Sequence, residues 1–212
     1  LQAQVSATFE GISTTLTCSN TTCNYIDPDN TNPAVDHTLM DNGGIPVSQV
    51  GAGSTLGFTN TFRATRTGAS ATGLTDGDAF GVAGNTKLNS EVGEMAIQGS
   101  QAFLMEDTDG EVTMTFDAVD LSGTSTPMLS LRYILDNTGW ETDDLFRVRV
   151  TFASCGPFAP LDLINTAGSD IDNLGIENSW NTLSANLTPY IGCIATLTIT
   201  FDADSNSEEL GI

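Results

Sequence analysis

The run Asp202-Ala-Asp204-Ser-Asn206-Ser-Glu208-Glu209 sets an oxygen-bearing side chain at every second position. Such a loop can wrap a hard cation, because calcium is held by oxygen ligands alone. The run is not an EF-hand: its mid-loop glycine is missing and no helical pattern follows. A shorter candidate of the same kind is Asp107-Thr-Asp109-Gly-Glu111. The competing reading is that acids in the loops of so acidic a chain are simply solvated.

Arginines and aromatics offer a second kind of chemistry. Arg147 and Arg149 fall on one face of an alternating segment, and Arg132 lies on another segment that could run beside it. A guanidinium fork takes a carboxylate or sulfate in two parallel hydrogen bonds, which suits a uronic or sulfated polysaccharide. Cross-strand pairing with the chain's own acids is the alternative. Aromatic rings cover the C–H face of a sugar. Trp140, next to Glu141, Asp143 and Asp144 in a turn, is the best exposed candidate, with Tyr25 in a long loop as another. Catalytic patterns are missing: the chain has no GxSxG, HExxH or phosphate-binding loop, and His37 is its lone histidine. Carboxylate pairs carry no signal among 27 acids.

That charge balance, −21 at pH 7 with 27 acids against 6 bases, argues against nucleic acid and anionic membranes, which need clustered cations. Cations, neutral glycans and cationic surfaces are the partners it permits. No run of 18 apolar residues is present, so no membrane insertion is expected. Four cysteines, a single lysine (Lys87) and abundant Thr, Asn, Ser and Gly point to a secreted, extracellular protein. Leu1-Gln2-Ala3-Gln4 could be the tail of a removed signal peptide.

The elements that must position these groups read as strands. Val112, Met114 and Phe116 alternate with Glu111, Thr113 and Thr115; Leu129 to Leu135 and Phe146 to Phe152 repeat that period. Period-two alternation marks a half-buried strand. Turn residues separate the three, so they read as consecutive antiparallel neighbours. Further strands are expected at 5–10, within 54–67 with Leu56, Phe58, Asn60 and Phe62 on one face, at 80–82, at 194–202 and at 208–212. Long loops are expected at about 18–50 and 153–192. Cys18 and Cys23 can close a small loop, with zinc as the rival. Cys155 follows one strand and Cys193 precedes another; if those strands are antiparallel neighbours, the cysteines meet at one end of the sheet. The fold class is all-β, an antiparallel β-sandwich, with 1–212 as one domain.

Two segments carry a family resemblance. Trp180-Asn-Thr-Leu-Ser-Ala-Asn-Leu-Thr-Pro-Tyr-Ile-Gly192, followed by Ile194-Ala-Thr-Leu-Thr-Ile-Thr-Phe-Asp202 and Glu208-Glu-Leu-Gly-Ile212, resembles the C-terminal part of galactose-binding-like jelly-roll domains. Residues 101–150 are similar to segments of secreted multidomain proteins of marine and Bacteroidetes-type bacteria. The resemblance implies a jelly-roll order and a Trp180 packed in the core. It also implies a structural calcium near the first and last strands, which adds Glu10 to Asp202, Asp204, Asn206 and Glu208. In that family the pattern continues past Ile212, so a larger secreted parent and an unfilled sheet edge are expected.

The leading functional expectation is a secreted, non-catalytic module binding glycan or cell-surface polysaccharide, stabilised by calcium and disulfides. The alternative is a structural subunit of an extracellular filament or surface layer that self-associates through sheet edges. A polysaccharide-active enzyme is third.

Overall fold

The computed structural model of the chain describes residues 4–11, 37–38, 47–63, 80–108, 110–137, 139–205 and 207–212. Its strands are β1 (His37–Thr38), β2 (Phe58–Arg63), β3 (Phe80–Gly84), β4 (Gln101–Glu106), β5 (Glu111–Phe116), β6 (Val119–Asp120), β7 (Met128–Leu135), β8 (Leu145–Ala153), β9 (Leu161–Asn165), β10 (Asn181–Asn186), β11 (Ile194–Asp202) and β12 (Glu209–Gly211). A helix, α1 (Asn85–Glu91), follows β3. One sheet runs β1-β2-β5-β11-β8-β9, with β6 also on β11; the other runs β10-β7-β12-β4-β3. All pairings between these strands are antiparallel. The all-β, antiparallel sandwich expected from the alternation is the architecture found.

Alternation fills the space between the sheets. Phe58 and Phe62 of β2, Val112 and Met114 of β5, Phe146 and Val148 of β8, and Ile199 and Phe201 of β11 are all buried. From the other sheet, Phe80, Phe103, Met105 and Leu135 meet them, while Leu104 and Ile134 share the outer face with Gly211, under α1. Phe58 and Phe103 stand edge to face across the gap, their ring centroids 5.5 Å apart. Burying one such ring contributes about 2–3 kcal/mol, so the phenylalanine cluster is the main source of cohesion. At the tightest point, a Cβ on Gly211 would lie 2.8 Å from Ile134 Cγ2 and 3.2 Å from Leu88 Cδ1. Only glycine lets β12 lie so close beneath Leu88 of α1.

Several expectations change. The strands in 101–152 are not mutual neighbours: β4 and β7 belong to one sheet, β5 and β8 to the other. From β4 to β5, from β6 to β7 and from β7 to β8 the chain crosses to the opposite sheet, so the apolar faces of these strands meet across the core. The 5–10 segment makes a single bridge, Ser6 to Thr55, rather than a strand. Phe9 adopts φ 55° there and turns its ring into the core. The 153–192 stretch is no simple loop, since it holds β9 and β10. Short alternations with few apolar residues hid them from the pattern. Of the 18–50 loop, the described parts are β1 and residues 47–50.

The closing segment also departs from expectation. β12 lies between β4 and β7 and pairs with both, and Ile212 exchanges backbone hydrogen bonds with Phe103. The edge foreseen there for self-association is therefore already filled by the chain's own strands.

Cys155 and Cys193 are joined, with Cα atoms 5.0 Å apart, because Ala153 and Ile194 pair across β8 and β11. Cys18 and Cys23 lie outside the described residues. The bridge spans 38 residues in sequence, which on the chain-entropy model contributes about 4 kcal/mol. Replacing both Cys155 and Cys193 with serine is expected to lower the unfolding free energy by about that amount in urea titrations. An unchanged midpoint would show that this staple does not constrain the unfolded chain.

Candidate functional site

The two ends of the sandwich differ in chemistry. At one end, the loop from β7 to β8 meets the loop from β11 to β12. Glu141, Asp144, Asp204 and Glu208 each bring a carboxylate oxygen within 4.8 Å of the other three. Glu141 and Asp204 are exposed, while Asp144 and Glu208 are buried. Each loop is tied by its own acid. Asp144 Oδ2 accepts the Glu141 amide at 2.5 Å, and Glu208 Oε2 accepts those of Asp204 at 3.0 Å and Ser205 at 3.2 Å. The second carboxylate oxygen of Glu208 is buried with no hydrogen-bond partner. Burial first, then the negative charges of Asp144 and Glu141, push the Glu208 carboxyl up to about 8. This acidic cluster could hold a metal ion.

On the other side of β12 is a second acidic group. Glu91, Glu106 and Glu209 converge, and Lys87 Nζ reaches into them, 2.6 Å from Glu91 and 3.5 Å from Glu106. Burial pushes Glu209 up to about 10, with Asp136 and Glu106 adding to the shift. Burial also raises Glu106, to about 7, against the pull of Lys87. Here an ammonium from the chain supplies the positive charge.

The residues singled out from sequence are only partly brought together. Asp204 and Glu208 belong to the cluster, whereas Asp202 is buried nearby outside that group and Asn206 lies outside the described residues. Glu10 is elsewhere: its carboxylate accepts the amides of Ser100 and Gln101 at 2.7 and 2.9 Å. Those hydrogen bonds hold its carboxyl below the usual range. Glu10 thus sits at the Gln101 end of β4, whereas Glu209, next to Glu208, pairs with Glu106 at the other end. Glu141 and Asp144 were missed as candidate ligands because they sit 60 to 67 positions before Asp204 and Glu208. The Glu141-Thr-Asp-Asp144 run beside Trp140 was the available signal.

Trp140 is not exposed. It is buried, packs edge-on against Phe201 and donates its indole N–H to the Asp136 carbonyl at 2.9 Å. Trp180, expected in the core, is half-buried against it, and its indole N–H donates to the Met95 carbonyl at 2.8 Å. Tyr25 and Asp109 lie outside the described residues. Arg132 is exposed on β7 in the five-stranded sheet, so the other sheet's Arg147 and Arg149 cannot form a groove with it. Arg149 grips Asp162 of β9 with both ends of its guanidinium, at 2.5 and 2.8 Å. Arg147 donates to the Thr200 hydroxyl at 3.3 Å.

The opposite end of the sandwich carries little charge; exposed Asp120, paired with Ile194 and accepting the Ser122 amide, is the acid that borders it. Residues 121–131, 153–161 and 187–194 contain no ionisable side chain apart from the bridged cysteines and Tyr190. They are drawn together by the disulfide and by the amides of Leu121 and Leu187, which donate to Cys193 and Pro127 carbonyls. Phe152 stacks on Tyr190 at 3.7 Å, and Phe158 stands edge-on to both. Phe158 is 45% exposed.

Fold and site thus define an antiparallel β-sandwich with one acidic, cation-competent end and one aromatic end. No family model and no curated protein matches the chain. Among solved structures it is similar to TmCBM61, described in complex with β-1,4-galactotriose, at 13% identity over 61% of this chain and 81% of that one, TM-score 0.35. It is also similar to the Stig cyclase Fisc from Fischerella sp. TAU, bound to (3Z)-3-(1-methyl-2-pyrrolidinylidene)-3H-indole, at 15% identity over 70% and 74% of the two chains, TM-score 0.36. Among the described residues, no helix is long and apolar enough to cross a membrane.

Glu106 makes stability depend on pH. Its folded value, about 7, lies above the unfolded one, so the folded chain holds the extra proton between them. Stability therefore falls as pH rises from about 4.5 to 7, by roughly 3 kcal/mol in full. Glu106→Gln, which mimics the neutral acid, is expected to gain on the native chain across that window in urea titrations. Parallel pH profiles for the two would show that the carboxyl is not held neutral.

Proposed function

We propose that this chain is a secreted, non-catalytic, disulfide-stapled module that binds neutral carbohydrate or cell-surface polysaccharide, with calcium as its cation. We further propose that it is one domain of a larger extracellular protein. The observation that carries the binding reading is the aromatic end, where the Phe152–Tyr190 stack backs the exposed Phe158. A pyranose presents an apolar C–H face, and a fixed aromatic ring covers it at little cost in side-chain freedom. The segments around the rings offer no cation, and the acid that borders them, Asp120, is negative; that suits a neutral sugar, and the net charge of −21 opposes an anionic one. The arginine face supports an acidic polysaccharide less well, since Arg149 is already engaged by Asp162.

Calorimetric titration of the full chain with neutral and uronic polysaccharides, with calcium present, tests the reading. Binding to a neutral chain that weakens about tenfold in Phe158→Ala, roughly 1.4 kcal/mol, with an unchanged melting temperature, is the expected result. Neutral-glycan binding that Phe158→Ala leaves intact would place the contact elsewhere. Silence toward every polysaccharide would end the carbohydrate reading.

A further inference from the structure

We infer that Glu141, Asp144, Asp204 and Glu208 form a calcium site that fastens the β7–β8 loop to the β11–β12 loop, where the closing strand begins. The inference rests on the calcium part of the function proposed above and supplies its ligands, two of which come from a loop the sequence pattern did not implicate.

Four observations converge on it. The ligand atoms come from carboxylates alone, the donor set of a hard cation rather than of zinc or copper. Their mutual separations stay within 4.8 Å, which is the span across a calcium sphere, about twice a Ca–O bond of 2.4 Å. Glu208 is 1% exposed, yet its Oε1 has no hydrogen-bond partner, while its Oε2 is fixed by two backbone amides. A buried carboxylate oxygen without a donor is costly, and an ion is the partner that satisfies it.

The contrast between the two sides of β12 is the fourth. Glu91, Glu106 and Glu209 surround Lys87, the chain's only lysine. The charges acting on Glu208 come from Asp144 and Glu141 and are all negative. One acidic group holds an ammonium among its acids, although Glu209 Oε2 there also lacks a hydrogen-bond partner; at Glu208 the neighbouring charges are of its own sign. Exposed Glu141 and Asp204 leave a path open from solution, and water completes the coordination. Two pairs of ligands on loops joined to β7, β8, β11 and β12 make the ion a clamp between the sheets.

Calcium chloride alone is the probe, added to the full chain after stripping with chelator and followed by calorimetry and thermal melting. One ion per chain at this site is expected, with a raised melting temperature and weaker magnesium binding. Glu141→Gln, at an exposed loop position, should weaken calcium at least tenfold without lowering the melting temperature in chelator. Glu106→Gln, in the lysine-filled group, should leave calcium affinity as it was. No calcium uptake up to millimolar concentration overturns the inference. So does affinity lost in Glu106→Gln but retained in Glu141→Gln, which would move the ion across β12. None of these measurements involves a sugar, so failure to bind glycan and failure to bind calcium remain separate results.

Discussion

The three residues of β12 hold the five-stranded sheet together. They pair with β4 on one side and β7 on the other, so without them that sheet would split into two halves. β4 and β12 are separated by about a hundred residues of chain, and β5 and β11 by nearly as many. Pairings this distant incur loop-closure entropy before they return any contact energy, which makes the fold slow to form and dependent on its final pairing. Gly211 marks how little room that pairing leaves, with Ile134 and Leu88 closing over it.

The same strand concentrates the electrostatic problem of the molecule. Glu208 and Glu209 are consecutive, so alternation sends them to opposite sides, and both are buried. Each meets other acids where it lands. Desolvation and like charge both favour the neutral form, which is why Glu208 and Glu209 hold protons to about 8 and about 10. Lys87 relieves one side, since α1 sets it one turn before Glu91 and over Glu106. A short helix that the strand pattern did not announce thus places the chain's only lysine where buried charge most needs it.

Separation of charged from uncharged loops gives the sandwich its polarity. The turns beyond Leu135, Asp202 and ahead of Leu145 are acidic, and those beyond Ala153 and ahead of Met128 and Ile194 carry none. Strands of eight or nine residues hold the two ends roughly 25 Å apart, so the cation and the aromatic contact act independently. The disulfide braces the aromatic end. Covalent closure there and carboxylate convergence at the other end divide the work of fixing the loops.

Much of this was legible in the residues themselves. Period two in Val112-Met114-Phe116, Phe146-Val148-Val150 and Leu197-Ile199-Phe201 dictated strands and their buried faces, because a side chain's face on a strand is set by position alone. The Cys155–Cys193 bridge followed from the same local logic, as both cysteines flank strands that pair. Sequence could not say that successive strands alternate between sheets, since amphipathic strands satisfy hairpins and crossings equally well. Nor could it hide Trp140 beneath Phe201, or divide Arg132 from Arg149. The acidic site shows the division most plainly: the sequence supplied Asp204 and Glu208, but only the crossing of two distant loops brought Glu141 and Asp144 to them. A carboxylate cluster is a relation in space, and spacing along the chain reports it only when the ligands share a loop.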